Sequence, residues 1–196
     1  PDYREVPVPN PYFLTPDRWA RIQARLLALA RTYPFERRRS SGFYRGGCLG
    51  FPGSAPRVEL AAIRSPLLDV GFYRPCNRTS WNKAPPQLAA AARRIRKAKF
   101  VSFPGFAQHK YQIHMPGGLN ASYSRTLQFT LGLGSVVLKW DNPYEEFYYR
   151  WLEEDKHYVV VNATTIVSTI VRLNADPGLG KRMAEDTTRW FETHLH

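Results

Sequence analysis

The sequence has little of what a membrane protein or a metalloprotein requires. No apolar run approaches the roughly 18–20 residues of a membrane-spanning helix, and the N-terminus does not read as a signal peptide. The two cysteines, Cys48 and Cys76, form neither a CxxC pair nor a zinc-binding pattern, and the histidines lack metal-ligand spacing. The sequence leaves open whether the cysteines pair in a disulfide or remain buried thiols.

Acidic residues are also scarce, since 16 aspartates and glutamates face 28 lysines and arginines and the net charge is +12. Such a charge predicts attraction to polyanions, which include nucleic acids, anionic membranes and phosphorylated ligands. The hydrophobic fraction of 43% supports a packed core and excludes wholesale disorder. The length fits one ordinary domain, or one domain with part of another.

Strand and helix patterns alternate along the chain. Strands are predicted at residues 42–45, 67–73, 110–114, 135–139 and 157–161. Helices are predicted at residues 15–33, 57–64, 85–99, 120–133 and 143–152, followed by two more that split at Pro177-Gly178. This alternation predicts an α/β fold with a parallel sheet, in which ligands bind beyond the carboxyl ends of the strands.

The segment after the third predicted strand favours a phosphate site. Paired glycines at Gly117-Gly118 let the backbone approach a ligand, and a helix start at Asn120-Ala121-Ser122-Tyr123 offers free N–H groups that favour phosphate. Arg125 is placed to reach a diphosphate bidentately. The same pattern occurs in α/β domains that bind no ligand, so the residues alone leave both interpretations open.

A second candidate site follows the first predicted strand. Arg45 fits a salt bridge or carbonyl clamp that holds the loop, or a ligand contact, and the structural role is favoured. Gly46-Gly47 and a longer loop then lead to Arg57. Arg57 opens a predicted helix, where a cation opposes the helix dipole. Its position there favours an anionic ligand nearby.

Three other clusters have more ordinary explanations. Glu145 and Glu146 are adjacent, so on a helix they point about 100° apart and cannot flank one glycosidic bond as a glycosidase pair does. The aromatic residues at 148–151 are predicted to lie in the core rather than to stack on a base. The basic run at residues 93–97 is typical of a solvated helix face, and its alternative is a nucleic-acid-binding surface.

Four segments agree in order with one known family. They are Pro7-Val8-Pro9, Tyr44-Arg45-Gly46, the stretch from Lys110-Tyr111 through Gly118 to Arg125, and the run from Gly134-Ser135 through Glu146-Phe147 to His157-Tyr158. In these segments the chain resembles the Rumi-type protein O-glucosyltransferases and their capsule-associated relatives, the CAP10-type glycosyltransferases of family 90. The family often has serine at the position of Gly47.

The resemblance implies a Rossmann-like parallel sheet that forms the C-terminal, nucleotide-sugar-binding half of a GT-B glycosyltransferase. Residues 1–40 would be a connector and helix from the preceding domain, and residues 41–196 a donor-sugar-binding domain truncated at its C-terminus. The implied donor is a UDP-sugar such as UDP-glucose or UDP-xylose, used with no cofactor and no obligatory metal. The implied partner is a protein or glycan acceptor in the endoplasmic reticulum or Golgi lumen, and nucleic acid is not expected.

The resemblance also assigns residues. Arg57 matches a donor-binding arginine, residues 118–125 match the diphosphate cradle, and Glu146 matches an acidic residue of an aromatic helix. The family's catalytic aspartate precedes the Pro-Val-Pro connector, so no catalytic residue is expected in this chain and the chain alone is expected to transfer no sugar. An inactive relative of the family is a further alternative. The donor site is expected at Arg45, Gly47, Arg57, Gly118, Asn120, Ala121, Ser122, Tyr123, Arg125 and Glu146.

Overall fold

A computed structural model describes residues 11, 13–76, 79–117 and 124–195. In this part of the chain, five strands form one sheet in the order β2-β1-β3-β4-β5, and every pairing is parallel. The strands are β1 Arg39–Gly47, β2 Leu68–Arg74, β3 His109–His114, β4 Val136–Trp140 and β5 Tyr158–Val161. The predicted α/β fold with a parallel sheet is confirmed, and all five strands lie where the sequence predicted them, apart from small differences at their ends.

The described residues also form α-helices of very different length. They are α1 Pro16–Thr32, α2 Ala55–Ala62, α3 Pro86–Arg94, α4 Phe103–Phe106, α5 Leu127–Thr130, α6 Ile166–Ala175 and α7 Pro177–His194. Proline in the first turn suits α1 and α7, because its fixed φ is already helical and its missing N–H is not needed there. At α7 the Asp176 carboxylate also accepts a hydrogen bond from Leu179 N–H at 2.9 Å, which caps the helix.

Two predicted helices are shorter than expected or absent. The helix predicted over residues 85–99 ends at Arg94, because the following segment lies along the edge strand β2 and Ala98 N–H donates to Phe72 O at 2.7 Å. The prediction of a helix over residues 143–152 is wrong. Only the 3-10 turn Tyr149–Trp151 forms there. Asn142 Oδ1 accepts a hydrogen bond from Tyr144 N–H at 2.9 Å, and such a local turn competes with a helix.

The helix predicted over residues 120–133 is also mostly absent from the described residues. Residues 124–126 are not helical, α5 has four residues, and the 3-10 turn Leu131–Leu133 follows it. Gly134 ends this segment with φ of 66°, a conformation that favours glycine.

The Arg38 guanidinium, whose pKa burial lowers to about 10, donates to Leu133 O and to Ser135 Oγ. Arg38 directly precedes β1, so these hydrogen bonds tie the start of β1 to the Gly134-Ser135 motif just before β4.

Aromatic and aliphatic side chains form two buried clusters. One contains strand residues and the inner face of α6, and the other joins α1 to α7 and to the end of α5. In the second cluster the Trp19 indole N–H donates to Leu195 O. The core position predicted for the aromatic run is confirmed for Tyr148 and Tyr149, but Trp151 is 48% exposed. The assignment of residues 1–40 to a preceding domain stays a prediction.

The sequence left open whether Cys48 and Cys76 pair or remain thiols. In the structure they form a disulfide. The bridge joins the residue after β1 to the segment after β2. Within the described ranges, no helix combines the length and the apolar character that crossing a membrane demands.

The strand order places a topological switch point at one end of the sheet, where open α/β sheets have a crevice. The chain passes from β1 to β2 on one side and then crosses to β3 on the other side of β1. The connections that leave β1 and β3 therefore run in opposite directions at the carboxyl ends of these strands. Ligands of open α/β sheets bind at such a switch point. The functional site is therefore expected between β1 and β3.

Candidate functional site

Arg57 connects the two strand ends that border the crevice. It lies in the first turn of α2, and its half-buried side chain reaches both ends. Its Nη1 donates to Gly47 O, the last residue of β1, at 2.7 Å. Its Nε and Nη2 donate to Pro116 O, beyond β3, at 3.0 and 2.6 Å. One guanidinium therefore holds the crevice walls together and places a positive charge between them.

The end of β1 explains the glycine at position 46. The Tyr44 hydroxyl lies directly over Gly46, where a Cβ atom would collide with it. Burial raises the pKa of Tyr44 to about 12, and the nearby charge of Arg57 opposes that rise. Gly47 is less constrained, because a Cβ atom there would lie 3.7 Å from the nearest side-chain atom of Arg74. A serine side chain would therefore fit at this position.

Arg45 makes the contacts of a structural clamp. Its Nη2 pairs with Asp69 Oδ1 at 2.6 Å, and its Nη1 donates to Tyr44 O and Asp69 O at 2.9 Å each. Its guanidinium also lies over the Phe43 ring, 4.4 Å from the centroid. These contacts hold β1 to β2 and agree with the structural role that the sequence favoured. A donor contact by Arg45 stays a prediction.

His114, Tyr149 and Lys139 lie at the same end of the sheet and were not among the predicted site residues. His114 ends β3 with 1% exposure, and its Nε2 lies 3.3 Å from the Tyr149 hydroxyl. Its Nδ1 has no hydrogen-bond partner among the described residues. The Lys139 ammonium lies over the Tyr149 ring, 5.5 Å from the centroid. For His114 and Lys139, the position at the carboxyl end of a predicted strand was the signal available in the sequence, and no such signal existed for Tyr149.

The neutral state of His114 gives a pH prediction. Burial, together with the smaller effect of the charges of Lys139 and Arg57, lowers the pKa of His114 to about 3. Because the unfolded chain takes up this proton near pH 6.5 and the folded chain does not, folding stability falls as the pH drops below about 6.5. Between pH 7 and 5.5 we expect His114 to account for a loss of about 1 kcal/mol in the free energy of unfolding.

Urea unfolding of the wild type and of His114→Asn at both pH values tests this expectation. The loss on acidification should be about 1 kcal/mol smaller in the variant. His109 and His157, whose pKa values burial also lowers, remain in both proteins and serve as the common background. An identical pH dependence in the two proteins would show that His114 titrates normally.

The predicted diphosphate cradle is only partly within the described residues. Gly118, Asn120, Ala121, Ser122 and Tyr123 lie outside the described residues, so their roles stay predictions. Arg125 is described and exposed, but it precedes α5 instead of lying in the first turns of a helix. The helix-terminus argument for Arg125 is therefore wrong. Its side chain is still accessible for a ligand.

Glu146 occupies a different environment from the one predicted. It lies in the irregular stretch after β4 rather than on a helix, and it is 5% exposed. The neighbouring Glu145 is exposed. The two carboxylates thus differ in accessibility, and this agrees with the view that they do not form a glycosidase pair. Among the described residues, no group of three or more histidine, cysteine, aspartate or glutamate side chains is arranged to hold a metal ion.

Comparison with known proteins identifies similar chains. Residues 14–196 match the model of glycosyl transferase family 90. The chain is 43% identical over 67 residues to human protein O-glucosyltransferase 3, a match that spans 34% of this chain and 13% of that protein. The structure of Anabaena Alr3699/HepE in complex with UDP and glucose has a TM-score of 0.52 at 10% identity, over 86% of this chain and 47% of that one.

A second structure is similar at a lower score. The C-terminal domain of the glycosyl transferase group 1 family protein LpcC from Francisella tularensis has a TM-score of 0.49 at 12% identity, over 79% of this chain and 84% of that one. The likeness to Alr3699/HepE concerns the fold, and it agrees with the Rossmann-like parallel sheet predicted from the sequence.

Proposed function

The chain belongs to glycosyl transferase family 90, and from this premise we propose that it binds the UDP group of a UDP-sugar in the crevice between β1 and β3. The family predicted from the sequence is thereby confirmed. The family match supports a glycosyltransferase, and the nucleic-acid-binding module stays an untested alternative. We also propose that the whole protein transfers the sugar to a hydroxyl of a protein or glycan acceptor.

The observation that supports this proposal most is the bridge made by Arg57. The bridge fixes the ends of β1 and β3 at the switch point of the sheet, where nucleotides bind in this class of fold. The glycine turn that the resemblance assigns to the diphosphate begins directly after Pro116. A diphosphate bound there would meet the charge of Arg57 from one wall and that of Arg125 from the following loop.

These residues have distinct roles in the proposed reaction. When the bond between the sugar and the diphosphate breaks, negative charge develops on the departing UDP. Arg125 would donate hydrogen bonds to it, whereas Arg57 would act through its charge and through the strand ends that it holds. We propose that no metal is obligatory, because cationic side chains supply the charge. Glu146 is proposed to accept a hydrogen bond from the donor ribose.

We expect calorimetry to detect UDP binding by this chain and weaker binding of UMP, because UMP lacks the second phosphate. Arg125→Ala should weaken UDP binding by about 1.5–3 kcal/mol, the range of a charge-assisted hydrogen bond. Arg21→Ala, at an exposed position on α1, removes the same charge away from the crevice and is the matched control. EDTA should leave the UDP affinity unchanged.

Equal affinities for UDP and UMP would contradict the proposed diphosphate site. An equal effect of Arg125→Ala and Arg21→Ala would reduce the role of Arg125 to general electrostatic attraction. A UDP affinity that depends on an added divalent cation would contradict the metal-free part of the proposal.

We further propose that the protein works in the lumen of the secretory pathway, in the endoplasmic reticulum or Golgi. The disulfide between Cys48 and Cys76 supports this location, because such bonds form and persist mainly in oxidising compartments. Protein O-glucosyltransferase 3 acts, by its name, on proteins. A protein acceptor is therefore the first candidate to test with the whole protein.

A further inference from the structure

A groove with many positive charges runs beside the edge strand β2, between the ends of α2 and α3. It consists of two adjoining cavities of about 520 and 380 Å³, which share Ile95, Arg96 and Lys97. No residue of the proposed donor site lines either cavity. We call it the basic groove, and its cations are Arg64, Arg93, Arg94, Arg96 and Lys97.

The cations of the basic groove have no acidic neighbours to offset them. All five are exposed, and none forms a salt bridge with any described residue. Elsewhere on the surface such pairs do form, as between Lys181 and Glu36 at 2.6 Å. The sequence contains no aspartate or glutamate between Val70 and Trp140, so the segment that builds most of the groove cannot supply one. An anionic ligand would relieve the repulsion among these charges.

The floor of the basic groove is apolar and lacks acceptor side chains. Apart from the cations, its lining consists of alanine, valine, glycine, phenylalanine, isoleucine, proline, cysteine and tryptophan. Sugar hydroxyls require acceptors as well as donors, so an anionic glycan matches this lining poorly. Trp81 lines the second cavity with 1% exposure, and its indole N–H has no acceptor among the described residues.

The backbone of β2 offers further contacts on the same side. The carbonyl of Phe72 points away from β1 and accepts from Ala98 N–H. Backbone groups alternate in direction along a strand, so those of Val70, which also lines the groove, point outward as well. At Phe72 this edge is already paired with residues 97–98, so an extended peptide would add its backbone hydrogen bonds beside Val70.

We propose that the basic groove binds an extended acidic segment of a polypeptide partner. Its carboxylates would pair with Arg64, Arg94 and Arg96, and its apolar side chains would cover the floor. Arginine suits this role because its planar fork matches a carboxylate. Cys76 lines the groove as part of the disulfide, which indicates an oxidising compartment and argues against a nucleic acid ligand. The surface would act independently of the donor crevice.

The test uses a short labelled peptide of alternating glutamate and valine, with a glutamine-for-glutamate peptide as its uncharged counterpart. Fluorescence anisotropy should show binding of the acidic peptide only. The double variant Arg94→Gln/Arg96→Gln should weaken binding at least about tenfold, which corresponds to about one lost charged contact. Arg21→Gln/Arg25→Gln removes the same charge from exposed positions of α1 and should change binding less than about twofold.

UDP affinity measured on the same variants keeps this test separate from the donor site, and circular dichroism confirms that both variants are folded. An equal loss in the two double variants, or no binding of the acidic peptide, would overturn the proposal. A heparin oligosaccharide that bound more tightly than the peptide and lost affinity only in Arg94→Gln/Arg96→Gln would also overturn it, and would identify an anionic glycan as the ligand.

Discussion

Replacing both Cys48 and Cys76 with alanine is expected to lower the free energy of unfolding by about 3–4 kcal/mol. The disulfide closes a loop with a sequence separation of 28, and the chain-entropy relation for a loop of this length gives that value. In a protein of this size the melting temperature should fall by roughly 10 °C. Alanine is suitable because Cys48 is 1% exposed, and a serine hydroxyl there would be buried.

Urea unfolding at neutral pH measures this loss. A reducing agent should destabilise the wild type by a similar amount and should have no effect on the double alanine variant. Because Cys48 follows Gly47 directly, removal of the bridge should also weaken UDP binding. Equal stability of the oxidised wild type and the variant would show that the disulfide does not constrain the unfolded chain as expected.

The second large effect is expected from Arg57→Ala. The substitution removes three hydrogen bonds from a charged group and leaves the carbonyls of Gly47 and Pro116, both in buried residues, without that donor. We expect a loss of about 2–4 kcal/mol in the free energy of unfolding, because charged hydrogen bonds contribute about 1.5–3 kcal/mol each and the side chain is only half-buried. UDP binding should become too weak to detect by calorimetry.

Arg57→Lys separates the two roles that Arg57 can have. Lysine keeps the charge but lacks the planar fork that reaches two carbonyl groups at once. If Arg57 acts mainly by holding the strand ends, Arg57→Lys should lose stability and UDP affinity nearly as fully as Arg57→Ala. If it acts as a direct phosphate ligand, as the family resemblance implies, Arg57→Lys should still lose stability, because the bridge is broken, but should keep part of the UDP affinity.

The strands were more predictable than the helices, for physical reasons. A buried parallel strand is a short apolar run, as in Val136-Val137-Leu138, and the local sequence is sufficient to indicate it. Helix ends depend on contacts that the local sequence does not contain. The segment after Arg94 leaves the helix to pair with Phe72, and the stretch after Asn142 forms a local turn in place of the predicted helix.

The site was predictable in its residue types but not in its geometry. Arg57 and Gly47 were both among the predicted donor-site residues, and the structure joins them. The contact of Arg57 with Pro116 spans 59 positions and involves a backbone carbonyl, which no residue pattern indicates. Glu146 was assigned to a helix that does not form, because an aromatic-rich segment can be buried in either conformation.

The order of the strands has a consequence for how the chain folds. The walls of the crevice are β1 and β3. Their pairing brings Gly42 beside Tyr111, although the whole segment that contains β2 and α3 separates them in the sequence. Pairings with such large sequence separation form slowly, because the intervening chain must be closed into a loop first. A compact intermediate that lacks this pairing has no crevice. A crevice ligand added during refolding would therefore stabilise only states in which β1 and β3 are paired, and its binding would report that pairing rather than the initial collapse.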